Sequence, residues 1–174
     1  MDALGRLSAD AFAETDKIPL VLVLDNVRSG LNVGSVFRTA DAFAVQQIIL
    51  CGITAAPPHR EILKTALGST ETVAWSSAEH AADAIVQLKN SGYRVFAVEQ
   101  TTRKIWLQDI QPKPGECYAL VFGNEVDGVS DDALLTCDGA IEIPQFGTKH
   151  SLNIAVAAGI VVWEFTRMWK FPTS

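Results

Sequence analysis

The sequence predicts a single α/β domain on a mainly parallel sheet, and three observations carry that prediction. Short apolar, β-branched runs recur at 19–24 (PLVLVL), 47–52, 94–98 (RVFAV) and 118–122 (YALVF). Runs with no polar alternation are what strands covered on both faces look like. Stretches with helical spacing separate these runs, the alternation from which parallel sheets are built. The chain has 174 residues, 48% apolar and 20% charged, enough for one core in an ordinary globular protein.

The elements follow in order. Strand 19–24 leads into a helix on which Val33, Val36, Phe37 and Ala40 fall at i, i+3, i+4 and i+7, a single core-facing stripe. Asn32 is the expected N-cap, and Arg38 lies off the stripe with its head group free for solvent or chemistry. Strand 47–52 comes next. After Pro57-Pro58 a short helix over 59–67 ends at Gly68, and a longer one covers 77–90 with Gly92 just past its end. Strands 94–98 and 118–122 flank a polar loop holding Pro112 and Pro114, and 140–143 (AIEI) is a short last strand. Residues 151–169 read as a long apolar helix capped by Ser151 and packed on both sides; Trp163, Phe165 and Trp169 look exposed and suit a subunit interface. There is no repeat or linker. The expected division is a helical extension over 1–17 and one domain over 18–170.

Composition narrows the function. Fourteen Lys and Arg against twenty Asp and Glu give a net charge of −6. Nucleic-acid-binding domains are usually basic, so an RNA or DNA partner must meet a local positive patch. Cys51, Cys117 and Cys137 are odd in number and widely spaced, which fits a reducing compartment. The N-terminus has no apolar signal region, and the longest apolar run, 154–163, is ten residues where a bilayer needs about twenty. A cytoplasmic protein with no membrane partner is expected. His59, His80 and His150 have no metal-ligand spacing, and neither GxGxxG, GxxxxGK[ST] nor GxSxG is present, so no metal is expected.

Three segments remain. The stretch around Asn32 and Arg38, Gly123-Asn124-Glu125, and Ser151-Leu152-Asn153 each follow a strand or open a helix. Singly they are a cap, a turn and a helix start. Together they gather polar groups at the carboxyl edge of an open sheet, where ligands bind in such folds. The segments 24–43 (LDNVRSGLNVGSVFRTADAF), 120–130 (LVFGNEVDGVS) and 141–164 (IEIPQFGTKHSLNIAVAAGIVVWE) resemble, in order and spacing, the three motifs of the SpoU/TrmH family of SPOUT RNA 2′-O-ribose methyltransferases. The likeness runs from about residue 20 to 166.

The resemblance implies an α/β fold with a deep C-terminal trefoil knot, S-adenosylmethionine as cofactor, a homodimer and an RNA substrate. It implies that Arg38 activates a ribose 2′-hydroxyl, either as base or by clamping phosphate and stabilising the developing oxyanion; the sequence leaves both open. Asn32, Glu125, Ser151 and Asn153 match the remaining polar positions, and Val98, Glu99, Gln100, Gly123, Ile143 and Leu152 those of the cofactor wall. A glycine at 123 fits close backbone approach to a ligand. Arg28, Arg38, Lys149 and His150 are the candidate RNA contacts, with Arg60 and Lys64 as lesser candidates. The short flanks resemble those of minimal members, which favours tRNA over rRNA. The alternatives are a catalytically silent RNA-binding protein of this fold, which the retained polar set opposes, and a dinucleotide oxidoreductase, which the absent glycine fingerprint opposes.

Overall fold

The computed structural model describes residues 11, 15–148 and 151–171. Most of the predicted 1–17 extension, and Lys149 and His150, lie outside the described residues. Seven parallel strands form one sheet: β1 (Ile18–Asp25), β2 (Val45–Cys51), β3 (Trp75–Ala78), β4 (Tyr93–Val98), β5 (Ile105–Trp106), β6 (Cys117–Phe122) and β7 (Gly139–Glu142). Their order across the sheet is β3-β2-β1-β6-β4-β7-β5. The helices are α1 (Gly30–Ala42), α2 (Arg60–Ala66), α3 (Ser69–Thr72), α4 (Ala81–Asn90), α5 (Asp131–Thr136) and α6 (Ile154–Lys170).

Alternate residues of the apolar strands feed two cores. Leu20, Leu22 and Leu24 of β1, with Phe96, Leu120 and Phe122, pack with Val33, Val36 and Phe37 of α1 and Ala158, Val161 and Phe165 of α6. Val21 and Val23, with Val95, Ala97, Ala119 and Val121, meet Ala81, Ala84, Ile85 and Leu88 of α4 and Ala133 of α5 on the other face. Both faces are dry, so the strands carry no polar alternation. Each fully buried Leu, Ile, Val or Phe contributes about 1.5–3 kcal/mol of transfer free energy.

Three expectations are corrected. Residues 75–78 are an edge strand, not the start of the helix over 77–90, which begins at Ala81. Trp75-Ser-Ser-Ala78 pairs with β2 through its backbone and through Gln47 Nε2, which donates to Ser76 Oγ at 3.0 Å, and its side chains are mostly exposed, so no apolar periodicity marks it. Ser151 does not cap the last helix; Asn153 does, its Oδ1 accepting from Ala155 N at 2.9 Å. Phe165, expected on the surface, is fully buried against Tyr118 and Trp169, and of the three aromatics only Trp163 is well exposed.

From β1 the chain works outward through β2 to β3, then crosses to the other side of β1 for β4 to β7. The reversal leaves a crevice beyond the carboxyl ends of β1, β6, β4 and β7. Part of each motif singled out above reaches it, Glu125 and Asn153 directly and Asn32 through its bonds to them.

Candidate functional site

The crevice is built around two asparagines. Asn26, after β1, takes a left-handed conformation (φ 55°), which Asn tolerates better than most residues. Its Oδ1 accepts from Ile53 N at 3.1 Å, and its Nδ2 donates to the buried Asp25 Oδ1 at 2.8 Å. Asp25 Oδ2 accepts from Ser130 N at 2.8 Å. Asn124, also buried, donates from Nδ2 to Asn26 O at 2.7 Å and accepts from the Val126 and Asp127 amides at 2.8 and 3.2 Å. Two backbone bonds between Asn124 and Gly128, of 2.8 and 3.0 Å, close this loop. Gly123 has a different reason from the expected one: a Cβ there would lie 2.1 Å from Gly128 C and Val129 N. The close approach that demands glycine is that of the loop's own backbone.

This loop carries Glu125 to the start of α1. The carboxylate accepts from Arg28 N, Ser29 N and Asn32 Nδ2, each at 3.1 Å. Anions are favoured at a helix N-terminus, where amides lack partners within the helix. Asn32 is not the cap that its type implied. Ser29 is, its Oγ accepting from Asn32 N at 3.2 Å, which leaves the Asn32 side chain free. Its Oδ1 accepts from Asn153 Nδ2 at 3.1 Å. Glu125, Asn32 and Asn153, one from each motif, form a continuous hydrogen-bonded chain.

Burial acts to raise the pKa of Glu125, but the bonds accepted from its own amide, Asn32, Arg28 and Ser29 outweigh it and hold the carboxyl below its usual range. A depressed folded-state pKa contributes stability above the unfolded value of about 4.3 that is lost as pH falls through the folded one. Glu125→Gln removes that contribution. Thermal melts across a pH series should show the variant less stable near neutrality, with the difference closing in acid. Glu125 is exposed, so the effect is small, and a pH-independent difference would contradict it.

Behind the chain lies a cavity of ≈ 350 Å³. Val98, Glu99, Gln100, Gly123, Ile143 and Leu152, the six residues expected in a cofactor wall, all line it, as do Glu125, Ser151 and Asn153. Glu99 also braces the neighbouring backbone, its carboxylate accepting from Val129 N at 3.1 Å and Gln100 N at 2.9 Å. Sequence reasoning passed over Asn124, Glu142 and Gln145, which share the lining. Asn124 stood in the quoted Gly-Asn-Glu triplet, and Glu142 interrupted an otherwise apolar strand. Lys104 Nζ sits 2.6 Å from Glu142 Oε2 and 4.4 Å from the centre of the Trp106 ring. Three carboxylates in a mixed polar and apolar wall suit a ligand that carries positive charge.

Arg38 is not in this cavity. It is exposed and lines a separate depression with Ser35, Thr39, Phe43, Lys64 and Thr65. Six residues along α1 from Asn32, it is about 9 Å further up the axis and on another face. Among the described residues it makes no hydrogen bond or ion pair. Arg28 meets Glu125 through its amide, and its side chain is exposed.

A parallel α/β sheet with a ligand cavity at its switch point, walled by polar loops rather than a glycine-rich phosphate cradle, defines a class of small-ligand α/β domains. Within that class the chain belongs to the SpoU rRNA Methylase family, which matches residues 19–163. It is 31% identical over 158 residues to the 23S rRNA (guanosine-2'-O-)-methyltransferase RlmB of Neisseria meningitidis serogroup B, an alignment covering 91% of this chain and 62% of that protein. The AdoMet-bound rRNA methyltransferase of Sinorhizobium meliloti superposes with a TM-score of 0.80 at 28% identity, over 94% of this chain and 61% of that one. A structure giving insight into the 2-OH methylation of C/U34 on tRNA superposes with a TM-score of 0.77 at 27% identity, over 88% of this chain and 99% of that one. The chain spans about three-fifths of the length of the curated relatives it matches.

Proposed function

We propose that this domain transfers a methyl group from S-adenosylmethionine to a ribose 2′-hydroxyl of RNA. The observation that carries the reading is the Glu125–Asn32–Asn153 chain beside the cavity, in a member of the SpoU family. The residues fit the cofactor. Val98, Phe122, Ile143 and Leu152 offer apolar wall, Gln100 and Gln145 offer amides, and Glu99, Glu125 and Glu142 complement a cation. When bound, S-adenosylmethionine supplies an electrophilic methyl on a positively charged sulfur. Glu125 anchors Asn32 and the start of α1; Asn32 and Asn153 orient the ribose, and Ser151 holds the phosphate beside it. Arg38, which stands outside its own subunit's cavity, acts from the partner subunit of the proposed dimer and stabilises charge on the 2′-oxygen as its proton passes to water.

RNA is compatible with the net acidity because part of the positive charge is unpaired around α1 and α2, as it also is at Arg103, Lys113 and Lys170 among the described residues. Lys89, Arg94, Lys104 and Arg167 are ion-paired. Arg28, Arg38, Arg60 and Lys64, around α1 and α2, have no ion pair among the described residues. Lys149 and His150 belong to the same proposed contact surface. A handful of phosphate contacts gives modest, salt-dependent affinity.

The relatives turn round the order of substrates read from the sequence, since they favour ribosomal RNA as the first to test. tRNA is the second reading, favoured by the likeness in length and fold to the tRNA 2-OH methylation structure.

A homodimer belongs to the same proposal. Val156, Ile160 and Trp163, at i, i+4 and i+7 of α6, are 51%, 38% and 46% exposed, and the Phe43 ring packs 5.8 Å from that of Trp163. Such a stripe fits a second copy. The trefoil knot belongs here too; force-extension of the full chain should give a contour shorter than an unknotted chain of equal length. A cytoplasmic location is proposed; among the described residues no helix is long and apolar enough to cross a membrane.

The function is tested by calorimetry with S-adenosylmethionine, sedimentation at micromolar concentration, and nucleoside mass spectrometry of ribosomal and transfer RNA from a deletion strain. Cofactor binding, a dimer mass and loss of one 2′-O-methyl mark are expected. Unchanged methylation in both RNA pools would overturn the activity, and a silent RNA-binding protein would then be the better reading.

A further inference from the structure

We infer that Phe146 is a stacking platform for the nucleobase whose ribose enters the cavity, an inference that rests on the RNA methylation reading above. Its side chain is 99% exposed, the highest value among the large apolar residues described. Nothing in the fold accounts for it there. Phe146 is in no ring pair among the described residues, and a Cβ at the adjacent Gly147 would meet nothing within 4 Å, so the backbone there has open space beside it. Gln145, the residue before it, lines the cavity, and Phe146 does not. The ring is thus solvent-exposed on a residue adjoining the cavity lining and is not itself part of that lining.

The rest of the rim has the same character. Val126, on the opposite loop, is 78% exposed, and Leu152 is 38% exposed. Both line the same cavity as the polar Asn124, Glu125, Ser151 and Asn153, so exposed apolar side chains lie beside polar ones. A nucleotide divides in the same way, into a flat base with an apolar face and a polar sugar and phosphate. With the ribose held by the interior, the base is left at the rim, where an aromatic ring accepts it without regard to its identity. A second copy of the chain is a poorer occupant, because the stripe that suits one lies along α6, at Val156, Ile160 and Trp163.

The test begins with methyl transfer by the wild-type protein on ribosomal and transfer RNA. A wild-type protein that transfers no methyl to either overturns the underlying reading, and stacking with it. With an active protein, Phe146→Ala should raise KM for RNA roughly tenfold while kcat, cofactor affinity, melting temperature and dimer mass stay as they were. Phe146→Tyr and Phe146→Trp should restore KM, and the fluorescence of the Trp variant should be quenched by RNA. An unchanged KM in Phe146→Ala overturns stacking alone. So does an equal loss of cofactor affinity, which would make the ring a cover for the cofactor, or a shift to monomer, which would make it an interface residue.

Discussion

Arg38→Ala should lower the rate of methyl transfer by about 10²–10³-fold, the range seen when one preorganised charge-stabilising donor is removed. Cofactor affinity should not change, because Arg38 lines none of the cavity that holds Glu99, Gly123 and Leu152. Stability should move by no more than about 0.5 kcal/mol, since the side chain is exposed and makes no hydrogen bond or ion pair among the described residues. The geometry adds a sharper expectation. Arg38 shares its depression with Phe43, whose ring packs on Trp163, in the stripe proposed to meet a second copy. In the proposed dimer, an arginine that stands off its own cavity and borders that stripe would serve the cavity of the second copy. Mixing Arg38→Ala with Asn153→Ala subunits, each nearly inactive alone, should then restore about a quarter of the wild-type rate, since half the dimers are mixed and one of their two sites is intact. No restoration would assign Arg38 to its own subunit. A full rate in Arg38→Ala homodimers would remove it from the chemistry.

The parts of the molecule legible in the sequence are those governed by local rules. Strands buried on both faces announce themselves as apolar runs, and the stripe of Val33, Val36, Phe37 and Ala40 specifies α1 and its buried side. The edge strand at Trp75 carries no such signature, because an edge needs only backbone partners. Capping was misread by one turn: Ser29 and Asn32 are both good cap residues, three apart, and only the fold shows that Ser29 caps while Asn32 turns to Glu125. The bonds that make the site join Glu125 to residues more than ninety positions earlier and Asn153 to Asn32 across 121. No local pattern encodes such pairings; the family resemblance supplied the residues but not who holds whom. It named Glu125 and Asn32 without showing that Asn26 and Asn124 build the loop that brings them together.

That dependence on one loop makes Gly123→Ala the most damaging small substitution expected here. The added methyl would meet Gly128 C and Val129 N at 2.1 Å and Gly128 O at 2.3 Å, all backbone, so no rotamer change relieves the contact. The loop must move, and the Asn124–Gly128 bridge and the Asn124 bond to Asn26 move with it. Overpacking of this kind costs about 1–3 kcal/mol or more. For a chain of this size each kcal/mol lowers Tm by roughly 2–4 °C, so a fall of about 5–10 °C is expected in calorimetry. Because the displaced segment carries both Glu125 and a wall of the cavity, cofactor affinity should fall at least about tenfold, equal to about 1.4 kcal/mol. Gly147→Ala is the control: its added methyl meets nothing within 4 Å, and Tm should hold. If Gly123→Ala melts with the wild-type protein and binds cofactor as tightly, the loop is not the rigid support that its hydrogen bonds describe. If Tm falls but the affinity of the folded fraction does not, the loop serves the fold alone, and the cavity wall is set by residues 98–100, 141–145 and 151–154.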